Sequence, residues 1–309
     1  HLFIWGGGYR LASDDIPSSP VLSFIPSSRE LQLFSVFAQD EFKLVPDKVQ
    51  LKLGAQLEHN DYSGLEFQPN VRLAWTPTER QTVWGAVSRA VRSPSRIDRD
   101  LLLRVGPITV LGSGNSDSEK LLAYELGYRI QPQTRLIVSL AAFYNDYDDV
   151  HSLEPSSISP TTLISGSGLW GRSWGAELSL TCQATDRWRL RGGYTYFDKR
   201  LFPKSGRVDI TQGAAEGNDP RHQLIVQSML DLPFKLELDL IARYVHALPA
   251  PHVPGYFTMD VRVAWKPHPN LEIAVIGQDL WDERHAEFGA AQTRQEIPRS
   301  VYGKLTWRF

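Results

Sequence analysis

The stretch VQLKLGAQLE, residues 49–58, alternates apolar and polar side chains over its whole length. Its apolar members are Val49, Leu51, Leu53, Ala55 and Leu57. Successive side chains of a β-strand point to opposite faces, so these residues share one face and their polar neighbours share the other. The stretch therefore predicts a strand with one apolar and one polar face. Alternation alone leaves open whether a second sheet or lipid covers the apolar face.

The same alternation recurs along the chain and predicts an all-β protein. We place about fourteen strands at residues 1–11, 30–44, 48–60, 65–76, 80–92, 118–130, 134–149, 167–184, 187–200, 219–232, 234–247, 255–266, 270–282 and 296–309. The composition agrees with this prediction, because 23 Gly, 20 Pro, 9 Trp, 11 Tyr and 13 Phe suit strands joined by many turns.

The connections between these segments alternate in length. The short ones are rich in Pro and Asp: VPDK (45–48), TPTER (76–80), QPQT (131–134), ATDR (184–187), LPFK (232–235) and KPHPN (266–270). The longer ones lie at 11–29, 93–117, 150–166, 201–218, 248–254 and 283–295. An up-and-down barrel with tight turns at one rim and loops at the other keeps this order, whereas a sandwich with crossovers does not. The sequence therefore predicts an antiparallel up-and-down transmembrane β-barrel.

Aromatic residues concentrate near both ends of the predicted strands. Those next to the short turns are Trp75, Trp84, Tyr128, Trp188, Phe234, Trp265, Trp307 and Phe309. Those toward the long connections are Tyr144, Tyr147, Tyr194, Tyr196, Tyr244, Tyr256 and Trp281. Two aromatic belts separated by the thickness of the hydrocarbon layer are typical of a membrane barrel.

The composition also disfavours several classes of protein. The chain has 309 residues, a formal net charge of −2 and a single cysteine. Such a charge does not favour nucleic-acid binding, and one cysteine permits neither an intrachain disulfide nor a thiolate metal cluster. No run of roughly 18 apolar residues predicts a transmembrane helix. The chain opens on HLFIW with neither Met nor a visible signal peptide, so we expect a fragment or a processed chain.

Three ordered motifs resemble the barrel of TonB-dependent outer-membrane receptors. The first covers residues 44–96 and contains EHNDYSG, QPNVRLAWTP and SRAVRSPSR. The second is YELGYRIQPQTRLIVSLAAFYNDYDDV at 124–150. The third is GQDLWDERHAEF at 277–288, followed by VYGKLTWRF at 301–309. The resemblance extends over nearly the whole chain, and it implies that residues 1–309 form one domain, the C-terminal part of such a barrel.

The resemblance also implies a function. Receptors of this family have a plug domain inside a barrel of about 22 strands, and no plug is recognisable here. They import a scarce, bulky nutrient across the outer membrane of Gram-negative bacteria, most often a ferric siderophore, with energy supplied through the TonB complex. Such a receptor is not an enzyme and needs no resident metal or cofactor. Its last strand is similar to the signal read by the barrel-assembly machinery, which here would be Val301, Leu305, Trp307 and Phe309.

Arginine and aromatic residues near the long connections are candidate ligand contacts. One group lies at the end of a predicted strand and in the following loop: Arg89, Arg92, Arg96, Arg99 and Arg104. Guanidinium groups there could hold an anionic ferric chelate. Trp170 and Arg172, in the glycine-rich stretch GSGLWGRSWG, could contact an aromatic or anionic ligand at the base of a loop. The structural alternative is that these arginines only balance Asp and Glu on neighbouring strands.

Other functions are less well supported by the sequence. YNDYDD (144–149) lacks the spacing of a calcium-binding EF-hand loop, and no HExxH motif, paired cysteines or Ser-His-Asp arrangement is evident. Three alternatives to siderophore uptake stay open at this point. They are a cobalamin or haem receptor of the same family, a passive outer-membrane pore, and a soluble β-rich protein that binds or hydrolyses carbohydrate.

Overall fold

The computed structural model describes residues 1–157 and 159–309, and most of this chain is antiparallel β-sheet. The long strands are β1 (Leu2–Asp15), β2 (Ser28–Val45), β3 (Val49–Asn60), β4 (Gly64–Thr78), β5 (Gln81–Arg92), β6 (Glu119–Gln133), β7 (Leu136–Pro155), β8 (Thr162–Thr185), β9 (Trp188–Pro203), β10 (His222–Leu232), β11 (Leu236–Val245), β12 (Tyr256–His268), β13 (Leu271–Gln278) and β14 (Ser300–Trp307). They correspond one to one with the predicted segments.

Short elements occupy some of the connections. The short strands are Leu22–Phe24, Leu101–Val105, Ile108–Leu111, Leu248–Pro249, His252–Val253, Arg284–His285 and Ile297–Pro298. Helix α1 covers Arg96–Asp100, and a 3₁₀ turn covers Pro233–Lys235. No helix in the described part of the chain combines the length and the apolar character needed to cross a membrane.

Each long strand pairs antiparallel with the next long strand along the chain, from β1 with β2 to β13 with β14. This order confirms the predicted up-and-down topology. Among the described residues, β1 and β14 each hydrogen-bond to one long neighbour and do not pair with each other. The result is a sheet with two open edges, as expected for a part of a larger barrel.

Several strands extend further toward the long connections than predicted. β7 continues to Pro155 and β8 begins at Thr162, so the predicted 150–166 loop shrinks to residues 156–161. In this region each face mixes apolar and polar side chains, with Glu154 opposite Ile164 and Leu153 opposite Ser165, and this mixture erases the alternation that the prediction used. Pairing continues there because the ladder is made by backbone groups.

The two faces of the sheet differ in chemistry. Large apolar side chains on one face remain exposed, among them Leu126 at 61%, Val275 at 56% and Val301 at 67%. The buried apolar residues in the described chain form only two small clusters, one of which contains Leu169 and the other Ala264. Within the described residues no second sheet covers the apolar face, so this part of the chain does not have the core of a sandwich.

The opposite face carries charge networks. Arg262 of β12 donates to Asp239 at 2.8 Å, to Glu272 at 2.6 Å and to Glu237 at 3.1 Å, so it joins three neighbouring strands. Lys266 adds a further ion pair to Glu237. Ion pairs of this kind balance charge between neighbouring strands. They are the role that we gave to arginines as the alternative to ligand binding.

The aromatic belts need one correction. Trp75, Trp188, Trp265 and Trp307 have the parity of the apolar face, but Trp84 lies on the polar face, opposite Ala74 and Gly127. Tyr147 and Tyr256 also have polar-face parity, because they lie opposite Gly171 and Val245. Proximity to a turn predicts how far along the strand a side chain lies. The face on which it lies depends on the register of the strand.

Candidate ligand-binding site at the long-loop rim

The connection 93–118 folds into a compact unit on the rim that carries the long loops. Ser95 caps α1, and its side chain and the Asp98 carboxylate satisfy each other's backbone N–H groups in a capping box. The two short strands that follow pair with each other, and the first of them also pairs with Leu22–Phe24. The second runs parallel to the start of β8. This unit therefore joins the 16–27 connection to the start of β8 at the rim.

Arg96 holds the 93–118 connection against the 16–27 connection. Its side chain is 8% exposed and pairs with Asp100 at 3.1 Å and with Asp14. It also donates to the Pro26 carbonyl, and its guanidinium lies over the Phe24 ring. The predicted contact Arg96 is therefore a buried structural residue of the rim.

Arg99 has a similar role at the turn between β3 and β4. It donates to the Tyr62 carbonyl at 2.7 Å and lies over the Tyr62 ring. The Tyr62 hydroxyl donates to Asp100 at 2.8 Å. Burial, together with the adjacent Asp100 carboxylate, raises the pKa of Tyr62 to about 12. Tyr62 therefore stays a neutral hydrogen-bond donor at physiological pH.

The other predicted arginines differ in how accessible their guanidinium groups are to a ligand. Arg89 donates to the Phe67 carbonyl and to Glu66 at 3.3 Å, across the gap where the pairing of β4 with β5 has ended. Arg92 is half exposed and pairs with Glu119 at 2.7 Å and Asp98 at 3.3 Å. Arg104 is exposed and makes no ion pair within the described residues. Arg92 and Arg104 thus retain accessible guanidinium groups.

Trp170 and Arg172 lie on the apolar face. Their parity along β8 is that of Leu178 and Leu180, which are exposed on that face. Trp170 contacts Phe202 across the strand pair at 5.7 Å between ring centroids. Both side chains therefore point away from the polar face and from the rim cluster around α1.

The last strand presents its apolar side chains outward. Val301, Leu305 and Trp307 are 67%, 66% and 60% exposed on the apolar face of β14, and Phe309 follows the strand fully exposed. Their role as an assembly signal stays a prediction.

The sequence analysis missed a polar cluster beside Arg92. His151 lies 3.2 Å from Glu216 and 3.1 Å from Ser165, which ties the 204–221 connection to β7 and β8. The hydrogen bond with His151 lowers the pKa of Glu216, so this carboxylate is ionised at neutral pH. A lone histidine in a predicted loop gave no signal for this pairing, because Glu216 lies far along the chain.

A depression on the polar face was also missed. It lies below the rim, is about 400 Å³ in volume, and is lined in part by Phe143, Phe197, Glu125 and Glu177. The Phe143 and Phe197 rings are 6.0 Å apart. The described residues contain no group of three or more His, Cys, Asp or Glu side chains placed to hold a metal. The rim and the depression together offer cationic, aromatic and carboxylate groups to a large ligand.

Comparison with known proteins identifies sequence relatives of this chain. The chain is 26% identical over 174 residues to the iron-regulated outer membrane virulence protein of Vibrio cholerae serotype O1, an alignment that covers 52% of this chain and 26% of that protein. It is 30% identical over 151 residues to the ferric enterobactin receptor of Pseudomonas aeruginosa, covering 45% of this chain and 20% of the receptor. The chain therefore matches only about a quarter or less of the length of these relatives.

Solved structures agree on the fold. A ferric enterobactin receptor in complex with BCV-L6 superposes with a TM-score of 0.78 at 20% identity, covering 99% of this chain and 51% of that one. The siderophore receptor PirA from Acinetobacter baumannii superposes with a TM-score of 0.72 at 17% identity, covering 92% and 46%. The family model for the TonB dependent receptor-like β-barrel matches residues 1–279. The chain therefore belongs to the TonB-dependent receptor β-barrel family, whose members are transport receptors.

Proposed function

We propose that residues 1–309 form the C-terminal part of the barrel of a receptor that binds and imports a ferric siderophore across the outer membrane of a Gram-negative bacterium. The observation that carries this proposal is the up-and-down sheet whose apolar face is exposed and whose long connections pair with each other at one rim. Relatives named for ferric enterobactin and for iron regulation support the ligand class. Import is energised by the TonB complex acting on a plug domain.

In this proposal the ligand first binds at the rim that carries the long loops. Arg92 and Arg104 supply the accessible positive charge, Arg96 and Arg99 fix the loops that present it, and Arg89 joins β5 to β4. A ferric siderophore with ionised chelating groups is anionic, so charge-assisted hydrogen bonds from guanidinium groups suit it. The depression with Phe143 and Phe197 lies on the route from the rim into the lumen and offers apolar contact to the ligand.

Titration of the full-length receptor tests this function. We expect tight binding of ferric enterobactin, followed by tryptophan fluorescence, and weakening by tenfold or more in an Arg92→Gln/Arg104→Gln variant, since each hydrogen bond to a charged group contributes about 1.5–3 kcal/mol. Arg80→Gln, at an exposed residue of a short turn on the opposite rim, serves as the control and should bind normally.

Other results would change the proposal. Binding of haem or cyanocobalamin, with no affinity for ferric enterobactin or other ferric chelates, would move the receptor to a neighbouring subfamily. Unsaturable passage of small solutes through planar bilayers, without any binding, would indicate a passive pore. In every version of the proposal the apolar face contacts outer-membrane lipid, and β14 with Phe309 is the strand that the barrel-assembly machinery recognises.

A further inference from the structure

Two histidines lie side by side on the apolar face, at the ends of β10 and β11 nearest the long connections. The register aligns Tyr194 with Tyr244 across β10 in one row of that face, and both tyrosines are exposed there. Two residues further toward the long connections, His222 lies opposite Tyr196. The His246 N–H donates to the His222 carbonyl at 2.9 Å, so His246 continues the register and is the next member of this row.

The imidazole rings of His222 and His246 have the spacing of a pair that shares one metal ion. Their centroids are 5.4 Å apart, and the ring planes meet at 82°. A transition-metal ion lies about 2.0–2.1 Å from an imidazole nitrogen, so two imidazoles at a tetrahedral angle around one ion have ring centroids about 5 Å apart. The observed separation is therefore close to that of two ligands of the same ion.

A tyrosine hydroxyl contacts one nitrogen of each ring and leaves the other nitrogen available. The Tyr194 hydroxyl lies 2.8 Å from Nδ1 of His222, and the Tyr244 hydroxyl lies 3.3 Å from Nδ1 of His246. Within the described part of the chain, Nε2 of either histidine has no hydrogen-bond partner. A histidine that binds metal usually donates a hydrogen bond from its other ring nitrogen, which fixes its tautomer. The hydroxyl oxygens can accept these bonds, so both Nε2 lone pairs are available to a metal ion.

Ring contacts hold His222 in place. The Tyr194 ring stacks with it at 6.2 Å between centroids and 24° between planes, and the Tyr196 ring lies 5.3 Å away. A ligand whose conformation is already held by packing loses less conformational freedom when it binds metal. The aromatic neighbours therefore favour metal binding by this histidine.

The donor atoms determine which ions fit. Imidazole nitrogen suits Cu²⁺, Ni²⁺ and Zn²⁺, and Cu²⁺ binds most tightly in this series. No third His, Cys, Asp or Glu of the described chain is placed to join the pair, so water would complete the coordination. Arg221, which precedes His222, pairs with Asp198 at 3.3 Å, and this ion pair reduces its repulsion of a cation. The pair therefore fits a divalent transition-metal ion with open coordination positions.

We propose that Nε2 of His222 and Nε2 of His246 bind one divalent transition-metal ion on the apolar face, next to the long connections. The bound ion links the first residue of β10 to the residue that follows β11, and so holds together the connections that begin and end there. The ferric chelate of the proposed function binds at the rim and in the lumen instead. The inference therefore does not depend on the imported ligand.

Electron paramagnetic resonance of the detergent-solubilised full-length receptor tests the proposal, with Cu²⁺ as the probe. We expect one bound Cu²⁺ with the nitrogen couplings of two imidazoles, and an affinity at least tenfold lower in His222→Gln and in His246→Gln. The difference between the unmodified receptor and His222→Gln/His246→Gln isolates this site from any other copper site of the full-length chain. The matched control is His59→Gln/His268→Gln, at two exposed histidines near the ends of β3 and β12, which should bind Cu²⁺ normally.

Either of two results would overturn the proposal: unchanged Cu²⁺ affinity in both single variants, or a difference spectrum with only one coordinated imidazole. Both histidines are half-buried at strand ends, so the fold should tolerate glutamine, and an unchanged circular dichroism spectrum of each variant verifies this. Ferric enterobactin titration separates this question from the proposed import. A receptor that binds Cu²⁺ through these histidines but binds no ferric chelate retains the metal site and loses only the import function.

Discussion

Glycines on the polar face lie under aromatic rings of the neighbouring strand. In each case the glycine and the aromatic residue are directly opposite in the register: Gly6 with Phe37, Gly127 with Trp84, and Gly175 with Phe143. A β-carbon at Gly127 would overlap the indole ring of Trp84. At these positions the glycine therefore makes room for a large ring to lie flat on the sheet, which a side chain would prevent.

At the residue scale we expect Gly127→Val to lower the free energy of unfolding by about 1–3 kcal/mol, the usual cost of overpacking. Urea unfolding of the receptor in micelles measures the change. Gly303→Val is the control, because nothing lies within 4 Å of a β-carbon built at Gly303. Trp84→Ala should restore part of the stability that Gly127→Val removes. A normal unfolding midpoint for Gly127→Val alone would contradict the packing of Trp84 against Gly127.

At the element scale, one carboxylate organises the 204–221 connection. Asp209 is 3% exposed and accepts from the backbone N–H groups of Leu153 at 2.8 Å, Gly213 at 2.9 Å and Thr211 at 3.0 Å. The Thr211 hydroxyl donates as well, at 2.7 Å. Burial by itself would raise the pKa of Asp209, but these donors outweigh it and hold the pKa below the ordinary value of 3.8. The loop is thereby fastened to β7.

Asp209→Asn should loosen this loop. An amide presents an NH₂ group to backbone donors that the carboxylate had accepted, and each buried donor left unsatisfied costs about 1–3 kcal/mol. We expect hydrogen exchange of residues 204–221 to accelerate at least tenfold, while Glu79→Gln, an exposed carboxylate in a short turn, leaves it unchanged. Equal protection in the Asp209→Asn variant and the unmodified receptor would show that the loop is held elsewhere.

The same contacts predict a dependence on pH. A lowered pKa in the folded protein means that the contribution of Asp209 to stability is fully present above the ordinary carboxyl pKa of 3.8. It is lost as the pH falls through the lowered pKa of the folded state. Protection of the 204–221 connection, after correction for intrinsic exchange rates, should therefore be equal at pH 7 and pH 5 and should fall only in strong acid.

At the scale of the whole molecule, the two faces of the sheet meet different solvents. In bilayers of brominated lipid, tryptophans on the apolar face should be quenched and those on the polar face should not. We expect Trp265→Phe to remove quenchable fluorescence and Trp84→Phe to remove fluorescence that bromine does not quench. Trp265 is 46% exposed on the apolar face, whereas Trp84 covers Gly127 on the polar face. Equal quenching of both would mean that lipid does not distinguish the faces.

The sequence by itself determined the strands, their order and the chemistry of the faces. Side-chain alternation has the period of the strand, and short turns force neighbours in sequence to pair, so both features are local and can be read along the chain. The family can be recognised from sequence motifs such as QPNVRLAWTP, whose residues lie on both faces of the sheet.

Only the tertiary structure decided which charged side chains act together. Arg96 and Arg172 look equivalent in sequence, yet one is buried between Asp14 and Asp100 and the other is exposed on the apolar face. The pairs that matter, such as His151 with Glu216, join residues far apart along the chain. Ion pairs depend on distances of a few ångströms between side chains, and loop folding and strand register set those distances, whereas local alternation does not.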